Sequence, residues 1–428
     1  MNELTLLIKE DMKPALGVTE PGAIAFAVAS ARSRTKGEIK SVNVSMNSGM
    51  YKNAFTCGIP NSEEVGNLFA AALGAVAGNS DKGLEALADV TPEDNIKAQS
   101  LIDEGKVTVE LSGITSDIFI EATVKTESDT CVVTIRDTHT NITRIVINDI
   151  VEFEKEADKK DVSKGEEDKD HAIHKYTLED IYQYIKTVDI SELEFISEAY
   201  RVNMELFNEG ILSPRTTFAK YLLKMNGGEV FSKDEQKTAQ LLCNAAIEAR
   251  VIGLDKPAMS ITGSGAHGII ATMPLYAVYK INNLSKEKLL RATALSYLVT
   301  MYIKEYSGRL SAFCGCAIAA GTGMACALVY LKDGTLEHMI QTINNMASSI
   351  TGMICDGGNQ GCTMKGVVAV DAAFKSVEFA MNDIYIDNVH GINDKKPEIT
   401  MKNMGLIASP GMVDTERVIV EIFESKLK

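Results

Sequence analysis

Tryptophan is missing from this 428-residue chain, and positive charge is in deficit: 43 Lys and Arg against 58 Asp and Glu leave a net charge of −15. The missing basic surplus excludes a nucleic-acid surface, because phosphate contacts need clustered Lys and Arg. It also speaks against binding to an anionic membrane. The opening residues MNELTLLIKEDMKP carry acid early and lack a basic stretch followed by an apolar one, so no secretory leader is expected and the cytoplasm is the expected compartment. There the eight cysteines are not expected to form a disulfide framework, which leaves buried thiols, metal ligands or redox groups. No repeat of solenoid period is present. Long apolar runs are scarce too. One stretch, Leu310 to Leu331, has 22 residues without a charge, long enough to span a bilayer. Its Gly, Ala, Ser, Thr and Cys content makes it a buried core helix instead.

What is present is small and flexible: 32 Gly and 18 Met predict an interior of small and flexible side chains. The pattern predicts an α+β protein, with a mixed α/β domain over 1–153, a charged linker or loop over 154–172, and a nearly all-α domain over 173–428. Residues 1–35 read as helical, with Thr19 as a cap and Pro21 in a first turn. Residues 39–56 read as strand and turn, and 106–152 as strands rich in Val, Ile and Thr. The stretch EKEADKKDVSKGEEDKD at 154–170 has no apolar period and reads as solvated. Beyond it, helical spacing dominates, broken by glycine-rich segments.

Four stretches depart from packing logic. CDGGNQGC at 355–362 sets two thiols about a segment too glycine-rich for a helix and suited to bending around something. Its spacing matches neither a zinc Cys-x-x-Cys nor a ferredoxin run, so unrelated thiols near a helix end remain an equal reading. RLSAFCGC at 309–316 puts Cys314 and Cys316 at the head of an apolar helix beside Arg309. Both a helix N-terminus and an arginine lower a thiol pKa, yet a core helix that contains cysteine reads equally well. TGSGAHG at 262–268 offers backbone amides and hydroxyls for an anion, through Thr262, Gly263, Ser264 and Gly265, without a Walker lysine; a plain turn is the alternative. His267 there is a base or a surface residue. THTN at 138–141, with His139 and Asn141, suits proton handling or substrate binding, or a structural place in a strand. Asn47, Lys52 and Asn53 in MNSGMYKN are read as site-facing or as turn and surface.

The order and spacing of KPALGVTEP (13–21), MNSGMYKN (46–53), HTN (139–141), TGSGAHGIIATMP (262–274), RLSAFC (309–314) and MICDGGNQGCTMK (353–365) resemble the L-cysteine desulfidase family, a relative of the iron–sulfur L-serine dehydratases. The resemblance covers almost the whole chain. It implies a [4Fe–4S] cluster held by Cys314, Cys355 and Cys362, with Cys314 favoured over Cys316 two residues away. It also implies a β-elimination that turns a small amino acid into a 2-keto acid, ammonia and sulfide or water. Thr262–Gly265, Asn47, Lys52 and Asn141 would bind substrate, and His267, His139 and Arg309 would act in catalysis. The expected assembly is a homo-oligomer, a dimer. Two positions depart from the family pattern. Val18 stands where the family has a cysteine, and Ala266-His267 replaces an Asn-Gln pair, so an imidazole enters the site that loses a thiol. A dehydratase for another 3-substituted amino acid, or a cluster-containing metabolite sensor without turnover, are the competing expectations.

Overall fold

A computed structural model of the chain describes residues 2–115, 117–155, 172–308 and 310–426. The chain runs α1 (Glu3–Asp11), β1 (Lys13–Leu16), α2 (Thr19–Arg32), β2 (Ile39–Asn47), α3 (Ser48–Ala54), α4 (Asn67–Val76) and α5 (Pro92–Asp103). It then makes β3 (Val107–Gly113), β4 (Phe119–Thr126), β5 (Thr130–Arg136), β6 (Ile142–Ile147) and β7 (Ile150–Glu154). The later part holds α6 (Leu178–Thr187), α7 (Ser197–Leu212), α8 (Phe218–Met225), α9 (Glu235–Val251), β8 (Pro257–Ser260), α10 (Gly265–Ile281) and α11 (Lys286–Ser307). It ends with α12 (Gly321–Leu331), α13 (Leu336–Ile350), α14 (Gly361–Ala380), α15 (Pro397–Ala408) and α16 (Val413–Ser425). The class is α+β: sheet and helices first, helices almost alone afterwards. The charged stretch predicted as a linker lies mostly at 156–171, outside the described residues.

The larger sheet has the order β3-β2-β4-β5-β6-β7, with β2 parallel to β3 and the remaining neighbours antiparallel. Along β2, Val42, Val44 and Met46 alternate onto one face and are fully buried there. Helices α2 and α4 cover the sheet. Their small residues let the backbones approach closely: a Cβ on Gly74 would stand 2.8 Å from the Ala25 Cα. In the helical part α9 packs on α7, α8, α10 and α14, and α11 packs on α10, α12 and α15.

Four local expectations are corrected. Residues 1–35 are not all helix. Pro14 removes an amide and pushes Lys13 into extended backbone, so KPAL becomes β1 and pairs antiparallel with β8, Lys13 opposite Ser260. Residues 48–54 are a buried helix, not a turn, and Asn47 and Lys52 are 0% and 1% exposed. The residues 138–141 lie in the turn between β5 and β6, not within a strand. The uncharged run from Leu310 is not one helix: Phe313 bridges Ile354, Cys316–Ala320 form a π-helical turn, and only then does α12 begin. Among the described residues no helix is long and apolar enough to cross a membrane.

Candidate active site

The bridge between Phe313 and Ile354 joins the two cysteine-bearing segments. The Cys314 amide donates to the Met353 carbonyl at 3.0 Å and the Cys355 amide to the Ala312 carbonyl at 2.6 Å. Cys362 follows in the first turn of α14, its thiol donating to the Gly357 carbonyl at 3.4 Å. The loop between them lies on α3 and on the approach to α2. Gly357 has φ +102°, and a Cβ on it would meet the Lys52 carbonyl at 2.5 Å. At Gly358 a Cβ would stand 2.7 Å from Val18 Cγ1, so Val18 fills the space beneath the loop. Here glycine is required by φ and by contact.

The three thiols feel one another. Burial pushes the Cys362 thiol up to about 12, and Cys355 and Cys314 push it further in the same direction. Burial also raises Cys355, where Cys314 adds to the effect and Lys52 opposes it. Cys314 is raised well above its usual value, first by its hydrogen bond with Cys316 and then by burial. Lys365 faces all three. Burial alone would lower it, but a hydrogen bond to Asp356 and the charges of Cys355, Cys362 and Cys314 raise it. Such thiols ionise together only with a cation among them.

The glycine–hydroxyl loop adjoins this group. Thr262 (φ +51°) and Gly263 (φ +74°) turn the chain from β8 into α10. The Thr262 amide donates to Asp11 Oδ2 at 2.5 Å, and Thr19 Oγ1 donates to the Gly263 carbonyl at 3.5 Å. His267 is 5% exposed, with Nδ1 2.5 Å from Thr262 Oγ1. A Cβ on Gly315 would lie 2.8 Å from His267 Nε2, so the imidazole abuts the turn between Cys314 and Cys316. Burial, then Lys304 and Arg250, push this histidine down to about 3, so its ring is neutral.

A polar chain leads away from Cys355. Its thiol is 3.9 Å from Asn53 Oδ1, Asn53 Nδ2 donates to Glu20 Oε1 at 2.9 Å, and His139 Nε2 is 3.9 Å from the same Glu20 oxygen. Glu20 is 6% exposed in the first turn of α2, where a helix favours negative charge.

The structure therefore brings Cys314, Cys355, Cys362, Thr262, Gly263, Ser264, Gly265 and His267 together, with His139 at the edge. It spends the other predicted residues elsewhere. Asn47 Oδ1 accepts from the Phe119 amide at 3.2 Å and its Nδ2 donates to the Thr115 carbonyl at 3.0 Å. Lys52 pairs with Glu416 at 2.7 Å and donates to the Ser311 carbonyl at 2.9 Å. Asn141 serves its own turn, donating to the Arg136 carbonyl at 2.9 Å and accepting from Lys155 at 3.0 Å. Arg309 lies outside the described residues. Two groups escaped the sequence reading. Glu20 lies inside a quoted motif, where only its charge in an apolar setting marked it. Arg250 lies in an ordinary helical period that carried no signal.

A family model for the serine dehydratase alpha chain matches residues 81–421. The chain belongs to the serine dehydratase alpha chain family. Curated relatives span it almost end to end. A UPF0597 protein of Clostridium botulinum (strain Okra / Type B1) is 40% identical over 98% of each chain. One from Caldanaerobacter subterraneus subsp. tengcongensis is 36% identical over 99% of this chain and 98% of its own, and one from Clostridium tetani 34% identical over 99% of each.

Whether this family member's residues fit an iron–sulfur group is a question for its donor set. Among the described residues no three His, Cys, Asp or Glu side chains close on a single metal ion. A cluster asks for something different, since each cysteine takes its own iron and the sulfurs stand further apart. The buried thiol of Cys314 and the half-buried thiols of Cys355 and Cys362, near enough that Cys314 raises both others and Cys355 raises Cys362, with Lys365 against them, make a donor set of that kind.

Proposed function

We propose that this protein is a [4Fe–4S]-dependent lyase that removes a β-substituent from a small amino acid and yields a 2-keto acid, ammonia and water or sulfide. The observation that carries this reading is the convergence of one buried and two half-buried thiols from two bridged segments beside an anion-accepting loop. Cys314, Cys355 and Cys362 would hold the cluster. When bound, it supplies a Lewis-acidic iron that stabilises the charge of a poor leaving group.

The chain's own residues divide the remaining work. The amides of Gly263 and Gly265 and the head of α10 hold the substrate carboxylate, since those of Thr262 and Ser264 are taken by Asp11 and Ile261. His267, locked by Thr262, offers a neutral imidazole for proton transfer or for contact with the substrate side chain. Glu20, oriented by Asn53, and His139 form a second proton-handling pair at the rim. Val18 cannot titrate, so these groups stand in for the thiol that the family pattern places there. The family description favours a hydroxyl leaving group over a thiol.

Anaerobically purified and reconstituted protein should be brown and bleach in air. A panel of L-serine, L-cysteine and other 3-substituted amino acids should release keto acid and ammonia from one member. Protein that takes up no iron would overturn the cluster. Iron uptake with no product from any amino acid would favour a sensor. Full turnover by His267→Ala would remove that residue from the reaction.

A further inference from the structure

Arg250 ends α9 with its guanidinium inside the molecule. The residue is 4% exposed, and its Nε is buried without a hydrogen-bond partner. Among the described residues no carboxylate lies within ion-pair distance of it. Glu248, its neighbour in sequence, is instead spent on the amides of Thr217, Phe218 and Ala219. A buried cation with no counter-charge costs several kcal/mol, so folding alone gives no reason to keep it.

Its position supplies one. A Cβ on Gly265 would stand 2.7 Å from Arg250 Nε, so the guanidinium lies against the first residue of α10. That helix has 17 residues, and its N-cap Ser264 makes no side-chain cap hydrogen bond. No acceptor among the described residues takes the amides of Gly265, Ala266 and His267. A helix N-terminus is itself positive. Two positive ends, both lacking a partner, thus face one spot beside His267, whose ring abuts Gly315. Like fields converge this way only where an anion sits between them.

We propose that Arg250 is the cation that receives the α-carboxylate of the amino-acid substrate, together with the first-turn amides of α10. This rests on the lyase reading of the same site. Arginine suits the task because its fork binds a carboxylate through two parallel hydrogen bonds. The reacting β-carbon would then point from the carboxylate toward Cys314 and His267. Molecules of the same shape without a carboxylate would be rejected because they leave the guanidinium unpaired.

The test uses metal-free, full-length protein and two probes without a leaving group, L-alanine and L-alaninamide, titrated calorimetrically. Wild type should bind L-alanine about ten- to a hundredfold more tightly than the amide. Arg250→Met should lose that preference, and Arg250→Lys should keep part of it. Without ligand, the Arg250→Met protein should melt at or above the wild-type temperature, because an uncompensated buried charge has gone; an arginine with a purely structural role would lower it. Wild type that binds both probes alike, or Arg250→Met that keeps the preference, overturns the assignment while turnover of the reconstituted enzyme upholds the lyase. Reconstituted wild type that turns over no amino acid, and metal-free protein that binds neither probe, overturn both.

Discussion

The neutral ring of His267 makes a measurable demand on stability. The folded ring stays unprotonated down to about pH 3, against an ordinary 6.5, because it is buried beside Lys304 and Arg250. Between those values the unfolded chain holds one more proton than the native one. Stability is therefore full above pH 6.5 and falls as the pH drops. At about 1.4 kcal/mol per pH unit, wild type should lose about 2 kcal/mol more than His267→Gln between pH 6.5 and 5. Urea denaturation of the metal-free proteins reads this, and equal losses would mean that the native ring is already charged. At this scale the sequence was legible where chemistry showed in spacing. The glycines around Cys355 and Cys362 marked a bend, and the structure uses Gly357 and Gly358 for one. Arg250 and Glu20 were not legible, since what distinguishes them is burial and the presence or absence of partners, which no local pattern encodes.

Among elements, α16 has a defined task. Its Glu416 meets Lys52 of α3 in an ion pair with side chains 7% and 0% exposed, and Lys52 also holds the Ser311 carbonyl three residues before Cys314. The pair thus ties the carboxyl-terminal helix and α3 to the segment that carries the first thiol. Glu416→Ala would leave Lys52 buried and uncompensated, at about 3–5 kcal/mol by urea denaturation. The double variant Lys52→Met/Glu416→Leu should recover most of that loss and retain turnover; loss of turnover with stability restored would return Lys52 to the substrate. Element type was legible for long periodic helices such as α9 and α11. It failed for β1, where four residues take strand form because β8 is there to pair with them, and for α3, whose seven residues are too few to show a period.

Across the whole molecule, one continuous apolar cluster runs from Val18 and Ile24 through the sheet to α9, α10 and α11. The chain also crosses between sheet and helices by the β1–β8 pairing, by α3 on α16, and by the Cys355–Cys362 loop on Val18 and Asn53. Metal-free protein should accordingly unfold in urea as one transition, with tyrosine fluorescence and far-ultraviolet circular dichroism giving the same midpoint. Separate midpoints would show that the sheet and the helices are independent. The sequence by itself determined the α+β class, the net negative charge, and the motif set that carries the family resemblance. Each of these follows from residue type, charge or period along the chain. Only the tertiary structure decided which polar residues share a site. It turned Asn47, Lys52 and Asn141 to structural bonds and set Asn53 beside Cys355, Glu20 behind Asn53, and Arg250 against Gly265. The reason is that burial and pairing depend on what packs opposite a residue, and that partner can lie as far along the chain as Glu416 does from Lys52.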